Sequence, residues 1–318
     1  KYSAQIEKAI RYALQDKALE LEVTLRNANV NVSVFTKFMA KLKTLGTELK
    51  KTVPEIEESL DISLADPKVN TRFTLLGKRA ISEYCKRNEL TGIPSRVVRI
   101  INKERVSKID VPEYRIRFNS KREKGLSQKS PEALSLIGQL KGLDKIFRYK
   151  RRYSFFTADN LFRFDLTIVK TNTSREARGP NTRKLKSEVR DYMRKYLVVP
   201  EYVTDRDKWL EGIKGNEFVE LMGKPYTEYI AKKSIKAAKV FENPMSYEIE
   251  LEFLGNQLER DQRPDNATVL SGFIQNIGCI LQSIGDNYFI ISETEKSQFF
   301  DTYKKLVRDF KFSGPNTV

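Results

Sequence analysis

The sequence predicts an α+β domain of antiparallel strands with helices between them. Two patterns predict it: short runs that alternate charged and apolar residues at the period of a strand, and amphipathic stretches at helical spacing between those runs. A third pattern bears on closure. Several runs place their charges on one face, which meets water in a one-sided sheet and lines the interior in a barrel.

In chain order, residues 1–18 read as a helix, with Ile6, Ala9, Ile10, Ala13 and Leu14 at helical spacing. A strand follows at 19–26, "LELEVTLR". Residues 33–50 read as an amphipathic helix from the N-cap Ser33, and 54–60 extend it or turn. Strands are expected at 60–65 and 69–76, then a helix at 77–90. Strands return at 95–101 and at 113–119, where Arg115 and Arg117 share a face. The polar, basic segment 120–142 holds a short helix from Pro131. Strands at 145–156 and 161–170 precede a Thr-, Asn-, Gly- and Pro-containing loop at 171–183. Residues 182–240 read as mostly helical, with breaks at Pro200, Gly212–Gly215 and Gly223–Pro225, and Trp209 as a packing anchor. A strand at 246–254, a helix at 265–285, the strand-like "NYFIIS" at 287–292 and a helix at 293–310 follow. The tail "FSGPNTV" reads as a linker, and no internal repeat is visible.

Composition narrows the chemistry. The 318 residues carry 58 Lys and Arg against 42 Asp and Glu, a net charge of +16. That balance favours an anionic partner: nucleic acid, nucleotide or membrane surface. There is no histidine, which removes the usual general base, the usual zinc ligand and the Ser-His-Asp triad. Cys85 and Cys279 lie far apart and form neither a CxxC pair nor a zinc set. A reducing, intracellular setting is expected. No apolar run is read as a membrane span, and the first residue, Lys1, reads as the start of an excised fragment.

Two strands are acidic. Glu20 and Glu22 share one face near the start, and Glu248, Glu250 and Glu252 share one face late in the chain. If these strands pair, four or five carboxylates converge and repel unless cations neutralise them. Hard oxygen donors without imidazole or thiolate point to Mg²⁺ or Mn²⁺. Taken separately, each is also compatible with a solvated strand face. Basic strands complement them. Arg148, Lys150 and Arg152 fall on one face, as do Arg163 and Asp165. Such a row suits a phosphate chain, an RNA surface or a merely solvated face. An acidic metal cluster and cation-lined strands in one barrel predict hydrolysis at the γ-phosphorus of a triphosphate.

In this respect the sequence resembles the triphosphate tunnel metalloenzymes, and within them the metal-dependent RNA triphosphatases of fungal and large-DNA-virus mRNA capping enzymes. The resemblance rests on four motifs in order: "ELEV" at 20–23, "RYKRR" at 148–152, "DLT" at 165–167 and "EIELE" at 248–252. It implies an eight-stranded antiparallel barrel shaped as a tunnel, with flanking helices. It implies Mg²⁺ or Mn²⁺ held by Glu20, Glu22 and Glu252, with Glu250 acting through a water of the metal's shell. Glu248 would support a basic side chain or a water. Arg148, Lys150 and Arg152 would contact the phosphates, and Asp165 would order water with Thr167 hydrogen-bonded in support. Arg117 and Glu123 match a family spacing, so Glu123 would position the attacking water, although "SKREKG" around it also reads as a loop. Arg72 and Arg99 are candidate tunnel cations or solvated residues.

The implied substrates are 5′-triphosphate RNA and, as a side activity, free NTPs, with no membrane. The helical insertion at about 175–240 is long for the family and is expected to dock RNA, another domain or a protein. The triphosphatase domain is placed at 1–305, and 306–318 as a linker toward a guanylyltransferase, whose K-x-D-G motif is absent here. The expected setting is intracellular: host cytoplasm or virion for a viral protein. Two other readings stay open: an inorganic or thiamine triphosphatase of the same fold, and a non-catalytic RNA-binding module.

Overall fold

Eight strands that alternate charge with apolar bulk roll into one closed antiparallel barrel, in the order β1-β10-β7-β6-β2-β3-β4-β5. The computed structural model describes residues 2–25, 30–65, 69–172, 174–176, 227–229, 231–285 and 290–309. The barrel strands are β1 (Leu19–Leu25), β2 (Glu55–Leu64), β3 (Thr71–Leu76), β4 (Val98–Val111), β5 (Ile116–Gly125), β6 (Lys145–Phe156), β7 (Phe162–Thr171) and β10 (Ser246–Phe253). Two short strands, β8 (Ser174–Glu176) and β9 (Thr227–Tyr229), form a separate antiparallel pair. The helices among the described residues are α1 (Ser3–Gln15), α2 (Val32–Thr44), α3 (Lys78–Arg87), α4 (Pro131–Gln139), α5 (Ile235–Ala238), α6 (Asn266–Gly285) and α7 (Glu293–Asp309).

The barrel is polar within and apolar without. Every second residue faces outward along the strands, and helices cover much of that face. One apolar cluster lies under α1, α2 and α6 and includes Ile10, Phe38, Phe164, Leu251 and Phe273. The other lies under α3, α4 and α5 and includes Ile62, Phe73, Tyr84, Phe147 and Ala238. Burying the outward face frees the inward one to carry charge.

Several expectations need correction. Residues 55–60 are strand, because β2 pairs along its whole length with β6, from Glu55 opposite Ser154 to Leu64 opposite Lys145. That pairing outweighs the weak helical pattern of "EIEESL". β4 starts at Val98 after a 3-10 turn and extends to Val111. Arg115 is not on a strand face with Arg117: it has left-handed backbone, φ 55°, in the turn before β5. The segment around Glu123 is strand, not loop. The loop expected at 171–183 contains β8. Residues 290–292 are not strand, while 286–289 lie outside the described residues. Ser292 instead caps α7: its Oγ accepts from the Glu295 N–H, and the Glu295 carboxylate accepts from the Ser292 N–H. Most of the expected helical insertion, residues 177–226 with Trp209, and the tail 310–318 lie outside the described residues.

One further correction concerns membranes. Residues Asn266–Ile284 of α6 are long and apolar enough to cross one. Here the helix lies on the barrel, with Val269, Phe273, Ile277 and Ile280 in the core.

Candidate active site

The two acidic strands are neighbours. β1 pairs antiparallel with β10, placing Glu22 opposite Glu252 and Thr24 opposite Glu250. β10 pairs in turn with β7, placing Glu250 opposite Asp165 and Glu248 opposite Thr167. Beyond β7 stands β6, with Arg152 opposite Thr167 and Lys150 opposite Val169. Alternation then sends all these side chains inward. Of these, Glu22, Lys150, Arg152, Thr167, Glu248, Glu250 and Glu252 line a cavity of about 720 Å³ whose wall holds eight glutamates and eight lysines and arginines.

Of the residues singled out in the sequence, Glu20, Glu22, Arg72, Arg99, Glu123, Arg148, Lys150, Arg152, Thr167, Glu248, Glu250 and Glu252 line this cavity. Asp165 is buried just behind it, where it accepts from Ser154 Oγ at 2.6 Å and from Arg163 at 2.8 Å. Arg152 stands 3.6 Å from the same carboxylate. Arg117 is not among the lining residues; it donates to Asp110 at 2.6 Å. Arg99 is at the rim, 57% exposed and 3.7 Å from Glu57. Thr167 does not bond Asp165: its Oγ1 is buried without a hydrogen-bond partner, and Ser154 takes the supporting role.

Some residues escaped the sequence reading. Asp61 on β2 accepts from Thr74 at 2.7 Å and pairs with Lys150 at 2.7 Å. Lys103 on β4 bridges Glu20 at 2.8 Å and Glu123 at 2.5 Å. Lys121 on β5 bonds Glu22, which also accepts from Asn119 at 3.2 Å. The signal was present: Lys121 and Glu123 continue the alternation of Arg117 and Asn119 on β5, and Ser59, Asp61 and Ser63 alternate with Leu60, Ile62 and Leu64 on β2. The boundary drawn at 119 cut off Lys121, whereas Asp61 lay inside the strand expected at 60–65, whose truncation at 60 hid its inward row.

The charges are unevenly compensated. Burial drives the Glu250 carboxyl up to about 8, with Glu22 and Glu248 adding to it. Burial drives Glu252 up to about 7, against the opposing pull of Arg163, which bonds it. Glu20 sits below its ordinary value because Lys103 outweighs burial. Asp61 does so because Lys150 and Arg72 outweigh burial. On the cationic side, burial is opposed by Asp165, Glu250 and Glu252, which hold Arg152 above the ordinary guanidinium value. Glu248 accepts two bonds from Arg148, at 2.7 and 2.9 Å. The acidic strand pair is therefore short of positive charge at Glu250 and Glu252, whereas β6, two strands beyond β10, offers a row of cations.

No family model and no curated sequence matches the chain. Solved structures do. The mimivirus capping enzyme triphosphatase superposes with a TM-score of 0.51 at 19% identity, over 87% of this chain and 96% of the other. A second structure of the RNA triphosphatase domain, from a trifunctional mimivirus mRNA capping enzyme, gives 0.53 at 19% identity, over 87% and 94%. At such identity the likeness establishes the shared fold alone.

Proposed function

We propose that this tunnel removes the γ-phosphate from 5′-triphosphate RNA, leaving a 5′-diphosphate end, in a reaction that requires Mg²⁺ or Mn²⁺. The observation that carries the reading is the juxtaposition of the under-compensated carboxylates of β10, Glu250 and Glu252, with Glu20 and Glu22 on the neighbouring β1 and with the inward cations of β6. The fold shared with the mimivirus triphosphatase supports it.

A divalent ion fits the donor set, which is entirely hard oxygen. The raised protons of Glu250 and Glu252 mark a place where positive charge is missing. Among the described residues no three carboxylates stand in a ligating arrangement as they are. Lys103, Lys121 and Arg163 hold Glu20, Glu22 and Glu252, and these contacts must yield to the ion. The ion would be held by Glu20, Glu22 and Glu252, with Glu250 and Glu248 beside them. When bound it supplies Lewis-acid polarisation of the terminal phosphate.

The chain's own residues do the rest. Arg148, Lys150 and Arg152 hold the phosphate chain and take up the charge that develops on the leaving diphosphate. Glu123, tied to Lys103 and Arg72, orients the attacking water and accepts its proton. The water oxygen bonds to the γ-phosphorus as the bond to the bridging oxygen breaks, and that electron pair stays with the diphosphate. Asp165, fixed by Ser154 and Arg163, keeps Arg152 charged and in place. Free NTPs present the same triphosphate and are expected as side substrates. A guanylyltransferase, which consumes a 5′-diphosphate end, is the corresponding partner, in the same polypeptide or beside it.

The test is product analysis on 5′-triphosphate RNA. Conversion to 5′-diphosphate RNA and inorganic phosphate with Mg²⁺ or Mn²⁺, and none with EDTA, is expected. Release of pyrophosphate, or tight RNA binding with no release under either metal, overturns the proposal.

A further inference from the structure

At Glu55, Ser154 and Phe156 the tunnel adjoins a second cavity of about 280 Å³, which shares those three residues with it. The chemistry changes there. The tunnel wall is charged or polar except at Ile56, Ile101 and Phe156. The second cavity has an apolar face of Val53, Phe156 and Leu254, flanked by Lys50 and Lys51. Val53 is 74% exposed and lines the same cavity as Phe156, an apolar side chain left open to a ligand.

Register gives this cavity a direction. Arg148, Lys150, Arg152, Ser154 and Phe156 follow one another on the inward face of β6. Arg148 bonds Glu248, while Glu252, four residues on, lies toward Arg152, so a phosphate chain that starts beside Glu252 and Arg152 and runs on toward Phe156 carries its sugar and base to the phenyl ring. The wall is built, not incidental. The Lys50 N–H donates to the Phe156 carbonyl at 2.9 Å, and the Ala158 N–H donates to the Glu48 carbonyl at 3.0 Å. These bonds and the Leu49–Thr157 bridge tie the segment before β2 to the end of β6. Asn160, with left-handed backbone at φ 57°, brings a side-chain amide to the same cavity from the turn between β6 and β7.

We infer that this cavity seats the first nucleoside of a 5′-triphosphate RNA, with its base on the Phe156 ring and the following phosphodiesters on Lys50 and Lys51. The inference rests on the triphosphatase reading and adds the element that distinguishes RNA from a bare triphosphate. Aromatic stacking accepts any base, and lysines beside it track the backbone without reading sequence.

The experiment compares γ-phosphate release from 5′-triphosphate RNA with hydrolysis of inorganic tripolyphosphate. The variants are Lys50→Glu/Lys51→Glu, Phe156→Ala and the charge control Lys86→Glu on α3. In the double-lysine variant KM for RNA should rise about tenfold more than KM for tripolyphosphate, and the log–log salt slope should fall by about 1.4 for two lost phosphate contacts. Phe156→Ala should raise KM for RNA about tenfold more than for tripolyphosphate, the size of one lost stacking contact. Lys86→Glu should leave the ratio as in the parent. Equal effects on both substrates, no effect on either, or a Lys86 variant that matches the double variant would overturn the inference while the hydrolase reading stands. A protein inactive on both substrates with either metal overturns that reading and the inference with it.

Discussion

Glu250 and Glu252 are carboxylates that the fold has forced to keep their protons near neutrality, and this gives the site a pH signature. In the unfolded chain a glutamate titrates near 4.5, whereas here Glu250 lies at about 8 and Glu252 at about 7. Between those values the folded chain binds more protons than the unfolded one. The stability these groups contribute is present below pH 4.5 and lost as pH rises through 7 and 8. The metal-free protein should therefore melt at a lower temperature at pH 8.5 than at pH 6, and Mn²⁺ should abolish the difference. A melting temperature that is flat or rising over that range would remove the basis for a charge deficit. On β6 the residue test is one of register. Arg148→Ala, Lys150→Ala and Arg152→Ala should each lower kcat/KM by about 10-fold or more. Arg151 faces outward, 47% exposed and over the Tyr153 ring at 5.5 Å, so Arg151→Ala should stay near the parent. An Arg151 variant as slow as its neighbours would contradict the strand register.

At the scale of elements, the strands were legible where alternation was uninterrupted and poorly bounded where it was diluted. β1, β7 and β10 could be read because Leu, Val, Phe or Ile recur between charged or polar residues, and β6 because Arg148, Lys150 and Arg152 recur at every second position; their order located the site. β2 was half missed, since "EIEESL" satisfies a helix as well as a strand and only pairing with β6 decides between them. β5 was cut short at Asn119 because Lys121–Lys124 is a polar run whose inward half, Lys121 and Glu123, faces a tunnel rather than a core. Polarity reads as loop unless the interior itself is known to be polar. The helices matter to the site by covering the outward faces. α6 comes so close that a Cβ at Gly272 would lie 2.3 Å from Phe162 Cε2, and Phe162 is packed between Phe253 and Phe273. Gly272→Ala should therefore destabilise the fold by about 1–3 kcal/mol, read as a lower urea midpoint at unchanged m-value. An unchanged midpoint would show that the helix stands further from the barrel.

For the whole molecule the decisive feature is the separation of charge from apolar bulk across the barrel wall. The net charge of +16 does not reside in the tunnel, whose lining is balanced between eight carboxylates and eight cations. A balanced cavity that admits a triphosphate acquires net negative charge, which a divalent ion offsets. The surplus of lysine and arginine elsewhere suits attraction of RNA over distance, and such attraction weakens as salt shortens the Debye length. The central claim is that one barrel couples a carboxylate-held metal to a cation-held triphosphate. The most direct measurement is release of phosphate from RNA labelled at its γ-phosphorus, with Mn²⁺ and with EDTA, for the parent, Glu22→Ala, Glu252→Ala and Arg151→Ala. Metal-dependent release by the parent and by Arg151→Ala is expected, with a loss of about 100-fold or more in both glutamate variants, each still folded. Release that persists in EDTA, or parent-like turnover in both glutamate variants, would contradict it.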